Sequence, residues 1–84
     1  MNWTVEFAPG IWGEALEIWA VCPDLAVARA ALGEVKDRLA ADPHAAGRHL
    51  SEGLWTLTIP PFAVFYAIDP ARRYVEITAV EAVS

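Results

Sequence analysis

The residues of this chain that could do chemistry are few, and two of them are histidines in one polar stretch. His44 and His49 lie close in sequence to Asp42 and Glu52. Because histidine titrates near neutral pH, His49 could act as a general acid or base, although a solvated loop histidine is the simpler interpretation and the one that we favour. Two irregularly spaced histidines do not supply the three or four convergent ligands of a zinc site.

Motifs of other enzyme classes are missing from the sequence. It contains no glycine-rich phosphate loop, no Ser-His-Asp pattern and no pair of carboxylates spaced for acid–base catalysis. Its one cysteine, Cys22, excludes an internal disulfide and a cysteine-based zinc site, so packing near a helix end is the simplest role for this thiol. We therefore expect neither a metal nor a cofactor.

Composition favours a protein-binding surface over a nucleic-acid-binding one. The net charge is −5 with six Lys and Arg residues, whereas nucleic-acid binders normally carry a basic patch. Hydrophobic residues make up 56% of the chain and include four Trp, so we expect apolar surface to be left for a partner. No signal peptide or run of about 18 apolar residues is visible, and we expect a cytoplasmic protein with a single domain over residues 1–84.

The elements that position these residues are organised around a predicted hairpin, GLWTLTIPPFAVFYAID. Strands are expected over 54–59 and 62–68, because both segments are rich in β-branched and aromatic residues. Pro60-Pro61 separates them, since proline has no N–H with which to continue a strand. The second strand is apolar on both faces, which predicts an inner position in the sheet and a core role for Tyr66 with a satisfied hydroxyl.

Periodicity and helix-breaking residues predict the rest of the fold. Asp24 should be the N-cap of the second helix, and Asp42-Pro43 should end it. In chain order we expect a strand over 2–8, helices over 11–21 and 25–41, a polar loop over 44–52, the hairpin, a turn over 69–72 and a strand over 73–80. The order is β-α-α-β-β-β, an α+β fold in which a helical hairpin packs on one face of an antiparallel sheet.

Four segments together resemble the RelE/ParE superfamily of bacterial type II toxin–antitoxin toxins, some of which are known as plasmid stabilisation proteins. The resemblance covers nearly the whole chain, and the order and spacing of the segments carry it. The segments are WTVEF at 3–7, VKDRLAADP at 35–43, VFYAID at 64–69 and RYVEI at 73–77. The resemblance implies a RelE/ParE-like α+β domain and a cognate antitoxin as partner.

The sequence departs from the superfamily where the nucleases carry positive charge. The superfamily's hairpin resembles GLYRLRVGDYRVIY, and when this is laid on residues 53–66 its three arginines fall on Thr56, Thr58 and Ala63. The lead into the hairpin offers only Arg48 and His49 in place of a lysine-rich segment. The tail over 81–84 is EAVS instead of a basic or tyrosine-bearing one. Most of the electrostatic part of an RNA-cleaving site is therefore missing.

Cleavage of RNA by its own 2′-hydroxyl requires a base, an acid and cations that offset charge on the phosphorus. Members of the superfamily that cut mRNA on the ribosome use Lys, Arg, Tyr or His for these roles. If this chain is a nuclease, the resemblance implies as catalytic residues Arg48, His49, Tyr66 and Arg73. An arginine pair in a turn, such as Arg72 and Arg73, is more often solvated than a phosphate clamp.

The interpretation that we favour is a toxin that binds a macromolecular target without cutting RNA and is neutralised by an antitoxin. This is the ParE-like side of the superfamily, whose members act on DNA gyrase. One alternative is a ribosome-dependent mRNA endonuclease, and another is a non-toxic, degenerate interaction module. The apolar surplus also makes a homodimer plausible. The residues that we expect to contact a protein partner are Trp12, Trp19, Trp55 and Arg72.

Overall fold

The computed structural model describes residues 2–83, so Ser84, the last residue of the predicted tail, lies outside the described residues. The helices are α1 (Ile11–Ala20), α2 (Leu25–Ala41) and α3 (Pro43–Ala46). The strands are β1 (Thr4–Phe7), β2 (Arg48–Ser51), β3 (Leu54–Ile59), β4 (Phe62–Asp69) and β5 (Tyr74–Ala82). The six predicted elements are all present, in the predicted order.

Within residues 2–83 the strands form one sheet in the order β1-β5-β4-β3-β2. Strand β4 is the central strand, as its two apolar faces predict. Strands β2 to β5 pair antiparallel, whereas β1 runs parallel to β5, with Val5 opposite Val75. The sheet is therefore mixed, because β1 at the edge is joined to the rest of the sheet through the helices and not through a tight turn.

The prediction of a polar loop over 44–52 is wrong. Its residues form most of the short helix α3 and the edge strand β2. Asp42 caps α3, since its side-chain oxygen accepts hydrogen bonds from the backbone N–H groups of His44 and Ala45 at 3.1 and 3.2 Å. Strand β2 pairs with β3 through one register irregularity after His49, and the following turn places Gly53 at φ +76°.

The core lies between α2 and one face of the sheet. Helix α2 begins at its predicted cap, Asp24, which accepts hydrogen bonds from two backbone N–H groups. Its buried residues are Ala28, Ala31, Leu32, Val35 and Leu39. They pack with fully buried sheet residues, among them Phe62, Val64, Tyr66, Val75 and Ile77. The buried residues of α2 recur at helical spacing and form one face of the helix, whereas Leu25 at its start is exposed.

Helix α1 contributes much less to this core. Within the described chain Ala15 is its one fully buried residue, while Trp12 and Leu16 are exposed. Val21, which follows α1, is 80% exposed. An apolar side chain stabilises the fold only when folding removes it from water. The exposed apolar surface of α1 is therefore not explained by the stability of the chain alone.

Gly47 lies where α3 turns into β2 and has no room for a side chain. A Cβ at this position would collide with the backbone oxygen of Thr56 and with the hydroxyl of Tyr66. We expect Gly47→Ala to lower the free energy of unfolding by about 1–3 kcal/mol, because backbone has to move to admit the methyl group.

Urea denaturation measures this change, and Gly33→Ala is the matched control. Gly33 lies in α2 with nothing within 4 Å of an added Cβ, so alanine there should raise stability by about 0.5–1 kcal/mol. Equal stability of Gly47→Ala and the unsubstituted protein would contradict the tight approach.

Candidate functional site

The buried hydroxyl of Tyr66 joins the centre of the sheet to the corner formed by α3 and β2. Tyr66 lies on β4 and is fully buried, as predicted for a core tyrosine. Its hydroxyl donates a 2.8 Å hydrogen bond to the carbonyl oxygen of Pro43, a residue that is itself fully buried. Because an unpaired polar group at this depth would cost free energy, the bond fixes α3 against β4.

This environment also keeps the Tyr66 hydroxyl protonated. Burial, followed by the negative charge of Asp42, raises the pKa of Tyr66 to about 12, while a backbone hydrogen bond from Gly47 acts in the opposite direction. At neutral pH the hydroxyl therefore holds its proton and is already engaged with Pro43. A general acid or base has to reach its substrate and have a pKa near the working pH, and this hydroxyl has neither property.

Two histidines contact the indole of Trp55 beside this tyrosine. The Trp55 ring stacks on Tyr66 with centroids 6.5 Å apart and an interplanar angle of 24°. His49 lies 4.9 Å from the Trp55 ring, and His44 meets the same ring edge-on at 5.5 Å. The structure thus brings together three residues predicted as site residues, His49, Tyr66 and Trp55, and adds His44.

The row of rings continues to the start of the chain. Trp3 meets His44 edge-on at 5.7 Å, and the guanidinium carbon of Arg73 lies 4.9 Å from the centroid of Trp3. We call the set Arg73, Trp3, His44, Trp55 and His49 the aromatic row. Sequence analysis missed Trp3 and His44 as members, since the row depends on pairing between elements distant in sequence.

Arg48 lies on the other face of the sheet from His49. The two residues are neighbours on β2, and successive side chains of a strand point to opposite faces. Arg48 is opposite Thr56 and lines an open recess of about 320 Å³ that also includes Thr58. Among residues 2–83, Arg48 is the one cationic side chain that lines this recess. The four residues predicted as catalytic are therefore divided between two faces of the sheet.

Arg72 is exposed in the turn before β5. Its side-chain Nε lies 3.7 Å from a carboxylate oxygen of Asp69, and its backbone N–H donates a 3.3 Å hydrogen bond to the other oxygen of that carboxylate. An exposed pair of this kind contributes little to stability. Arg73, the next residue, has a left-handed backbone with φ 50°, and its guanidinium lies over Trp3.

A second cluster of predicted contact residues lies on the helices. Trp12 is 45% exposed and meets Phe7 edge-on at 5.1 Å. Trp19 is half-buried and lines an open groove of about 570 Å³ with Leu25 and Ala26 of α2. The sequence prediction named the two tryptophans and missed the exposure of other apolar residues of the helical region, which include Leu16, Val21, Leu25 and Val27.

Residues 2–83 contain neither a metal-binding cluster nor a membrane-spanning helix. Over residues 2–83 no group of three or more His, Cys, Asp or Glu side chains converges in a way that could hold a metal ion. In the same part of the chain, the helices lack the combination of length and apolar character needed to cross a membrane.

Solved structures with the same fold come from toxin–antitoxin systems. A chain of the toxin–antitoxin complex RelBE2 from Mycobacterium tuberculosis matches with a TM-score of 0.80 at 19% identity, over 99% of this chain and 93% of that one. The chromosomal ParDE system from P. aeruginosa gives a TM-score of 0.71 at 17% identity, over 98% of this chain and 97% of that chain. The archaeal RelE–RelB complex from Pyrococcus horikoshii gives 0.70 at 14% identity, over 98% and 96%.

No protein-family model matches this sequence, and neither does any curated protein. At identities below one fifth, the structural likeness establishes the fold. The predicted RelE/ParE-like α+β fold is therefore confirmed over nearly the whole chain.

The burial of Tyr66 predicts a specific dependence of stability on pH. Its pKa is raised from 10.0 in the unfolded chain to about 12 in the folded one. Unfolded protein therefore loses the proton first as pH rises, so the contribution is fully present below pH 10 and is lost between pH 10 and 12. Tyr66→Phe should remove this part of the pH dependence and cost about 1–3 kcal/mol at pH 7, because the Pro43 carbonyl loses its donor.

Urea unfolding of both proteins from pH 7 to pH 12 measures the two effects. Tyr74→Phe is the control for the loss at pH 7, since Tyr74 lies on β5 and takes no part in the bond to Pro43. Burial, followed by the neighbouring Glu6, also raises the pKa of Tyr74, so this variant should reduce the slope above pH 10 as well. A Tyr66→Phe protein as stable as the parent at pH 7, with an unchanged slope above pH 10, would refute the assigned role of the hydroxyl.

Proposed function

We propose that this chain is the toxin of a type II toxin–antitoxin system, that it inhibits a macromolecular target by binding it, and that a cognate antitoxin neutralises it. The observation that carries the proposal is the match to chains of RelBE2, ParDE and RelE–RelB over at least 98% of this chain. The proposal takes the toxin role from those systems, and the mechanism rests on the charges and geometry of this chain.

The positions of the charges support binding without RNA cleavage. Thr56, Thr58 and Ala63 occupy neighbouring positions of β3 and β4, with Thr58 directly opposite Ala63. The resemblance places the cations of the nucleases at these three positions. Here the hydroxyl of Thr56 donates a 3.1 Å hydrogen bond to the carbonyl oxygen of Val64, so it is engaged within the sheet. A phosphodiester on this face would meet the guanidinium of Arg48 with little further positive charge to stabilise its transition state.

The acid–base groups are also separated from that cation. His49 belongs to the aromatic row on one face, while Arg48 lines the recess on the other. Tyr66 is buried and protonated at neutral pH. General acid–base catalysis needs the proton-transfer groups and the charge-stabilising groups around one reacting phosphate, within about 3 Å of it. The arrangement supports docking of a target in place of cleavage, and DNA gyrase is the target that we propose for the test below.

The exposed tryptophans support neutralisation by a protein partner. Trp12 and Trp19 lie in a region of α1 and α2 where several other apolar side chains are also exposed. Aromatic residues in such patches are the usual anchors of protein interfaces. We propose that these two residues contact the antitoxin, and that Trp55 and Arg72 contact the target.

Regulated expression in a bacterial host tests the proposal, and growth, mRNA integrity and plasmid supercoiling are the measurements. We expect growth arrest with changed supercoiling and intact mRNA, relieved when the product of the adjacent gene is expressed together with the toxin. Because Arg48 and His49 are exposed, Arg48→Ala and His49→Ala should fold normally and still arrest growth.

Three other outcomes would contradict parts of the proposal. If mRNA is cut on ribosomes, and Arg48→Ala or His49→Ala abolishes the growth arrest, the protein is a ribosome-dependent endonuclease. Harmless expression of the folded protein would identify a non-toxic interaction module. Arrest with neither mRNA cleavage nor altered supercoiling would exclude gyrase while leaving the binding mechanism in place.

A further inference from the structure

An open groove of about 640 Å³ lies between α1 and the C-terminal end of β5. It is separate from the aromatic row and from the groove beside Trp19. Apolar and acidic side chains share its lining. The apolar ones include Ile18, Val21 and Val80, and the acidic ones are Glu14, Glu17 and Glu81. Val21 is the most exposed of the large apolar residues, so a contact with a partner would remove a large part of its side chain from water.

Within residues 2–83 the lining of this groove contains three carboxylates and no cationic side chain beside them. Arg38 pairs with Glu34 and Arg72 with Asp69, so neither arginine is directed to a glutamate of the groove. No Lys or Arg side chain of the described residues lines the groove. The arginines nearest to β5 in sequence, Arg72 and Arg73, precede the strand, whereas the groove lies at its far end.

The end of helix α1 adds to the negative potential of the groove. The last backbone carbonyl groups of a helix carry a partial negative charge, which lysine or arginine in the last turn commonly offsets. Helix α1, described over its whole length, has no basic residue in its last turn, and Val21 at its C-cap lines the groove. Three carboxylates and a helix C-terminus therefore act on the same apolar surface.

We propose that this groove binds a cationic amphipathic segment of the antitoxin, a helix whose apolar face packs on Ile18 and Val21 while Lys or Arg side chains pair with Glu14, Glu17 and Glu81. The inference rests on the proposed toxin–antitoxin function and names the chemistry of the partner. Charge complementarity selects this occupant: an acidic or neutral segment would leave the carboxylates unpaired at the rim of an interface, and a second copy of this chain would add like charge.

Two synthetic peptides of about 14 residues, roughly four helical turns, are suitable probes. One is an amphipathic helix of Leu and Lys, and the other has Glu at every Lys position. We expect calorimetry to detect binding of the Leu/Lys peptide, weakening as salt is added, and no binding of the Leu/Glu peptide. The triple variant Glu14→Gln/Glu17→Gln/Glu81→Gln should bind the Leu/Lys peptide about tenfold more weakly, as expected from the loss of several modest charge pairs.

Matched variants separate the groove from the overall charge of the protein. Asp37→Asn/Glu52→Gln/Glu76→Gln changes the net charge equally at residues outside the groove and should bind like the parent. Val21→Ser should weaken binding severalfold, whereas Val27→Ser, an exposed valine of α2 outside the groove, should not. Both valines are more than half exposed, so neither change should affect folding.

Several results would overturn the inference. One is equal weakening of Leu/Lys peptide binding by the two triple variants, and another is binding of the Leu/Glu peptide. A third is self-association in sedimentation equilibrium that Val21→Ser abolishes, which would assign the groove to a second copy. The growth assay distinguishes this failure from failure of the proposed function. If the protein arrests growth but its groove does not bind the Leu/Lys peptide, the inference fails and the proposed function stands. If the groove binds the peptide but the protein is not toxic, the groove remains a binding surface and the antitoxin is excluded as its occupant.

Discussion

One buried hydrogen bond, from the hydroxyl of Tyr66 to the carbonyl of Pro43, holds the corner formed by α3 and β2 against the centre of the sheet. It links the central strand to the short helix α3, and the absence of a side chain at Gly47 lets the chain pass close to Tyr66 and Thr56 on its way into β2. The position of β2 in turn brings His49 to Trp55. The polar contact therefore has a structural role, and it fixes the aromatic row at the end of the sheet.

The charge distribution limits what this scaffold can do chemically. A fold shared with RelBE2, ParDE and RelE–RelB chains is here combined with net negative charge and with Thr56, Thr58 and Ala63 on the sheet. Cationic groups stabilise the negative charge of a phosphorane-like transition state, and threonine and alanine side chains bring no such charge. Recognition of a protein depends on shape and apolar area, which this chain has in quantity on its helices. Both considerations are the basis of the binding role that we propose.

The sequence predicted well those features that depend on local chemistry. Asp24 caps α2, β4 is central, and Tyr66 is buried with its hydroxyl bonded, each for the reason that its residue types imply. The sequence did not predict α3 and β2. All four residues of β2 are exposed, so they show no alternation, and only pairing with β3 makes them a strand. The candidate site was predicted only in part. His49 and Tyr66 have recognisable chemistry, but the contact of His44 with Trp55 depends on elements that are distant in sequence and meet only in the fold.

The short strands at the two edges of the sheet have a consequence for the behaviour of the protein at high concentration. Strands β1 and β2 contain four residues each, and a register irregularity interrupts β2. Each edge therefore presents few backbone groups in line to another chain, which hinders the edge-to-edge stacking that leads to fibrils. In a chain with 56% hydrophobic residues, this geometry favours saturable contacts through side chains over open-ended polymerisation through the backbone.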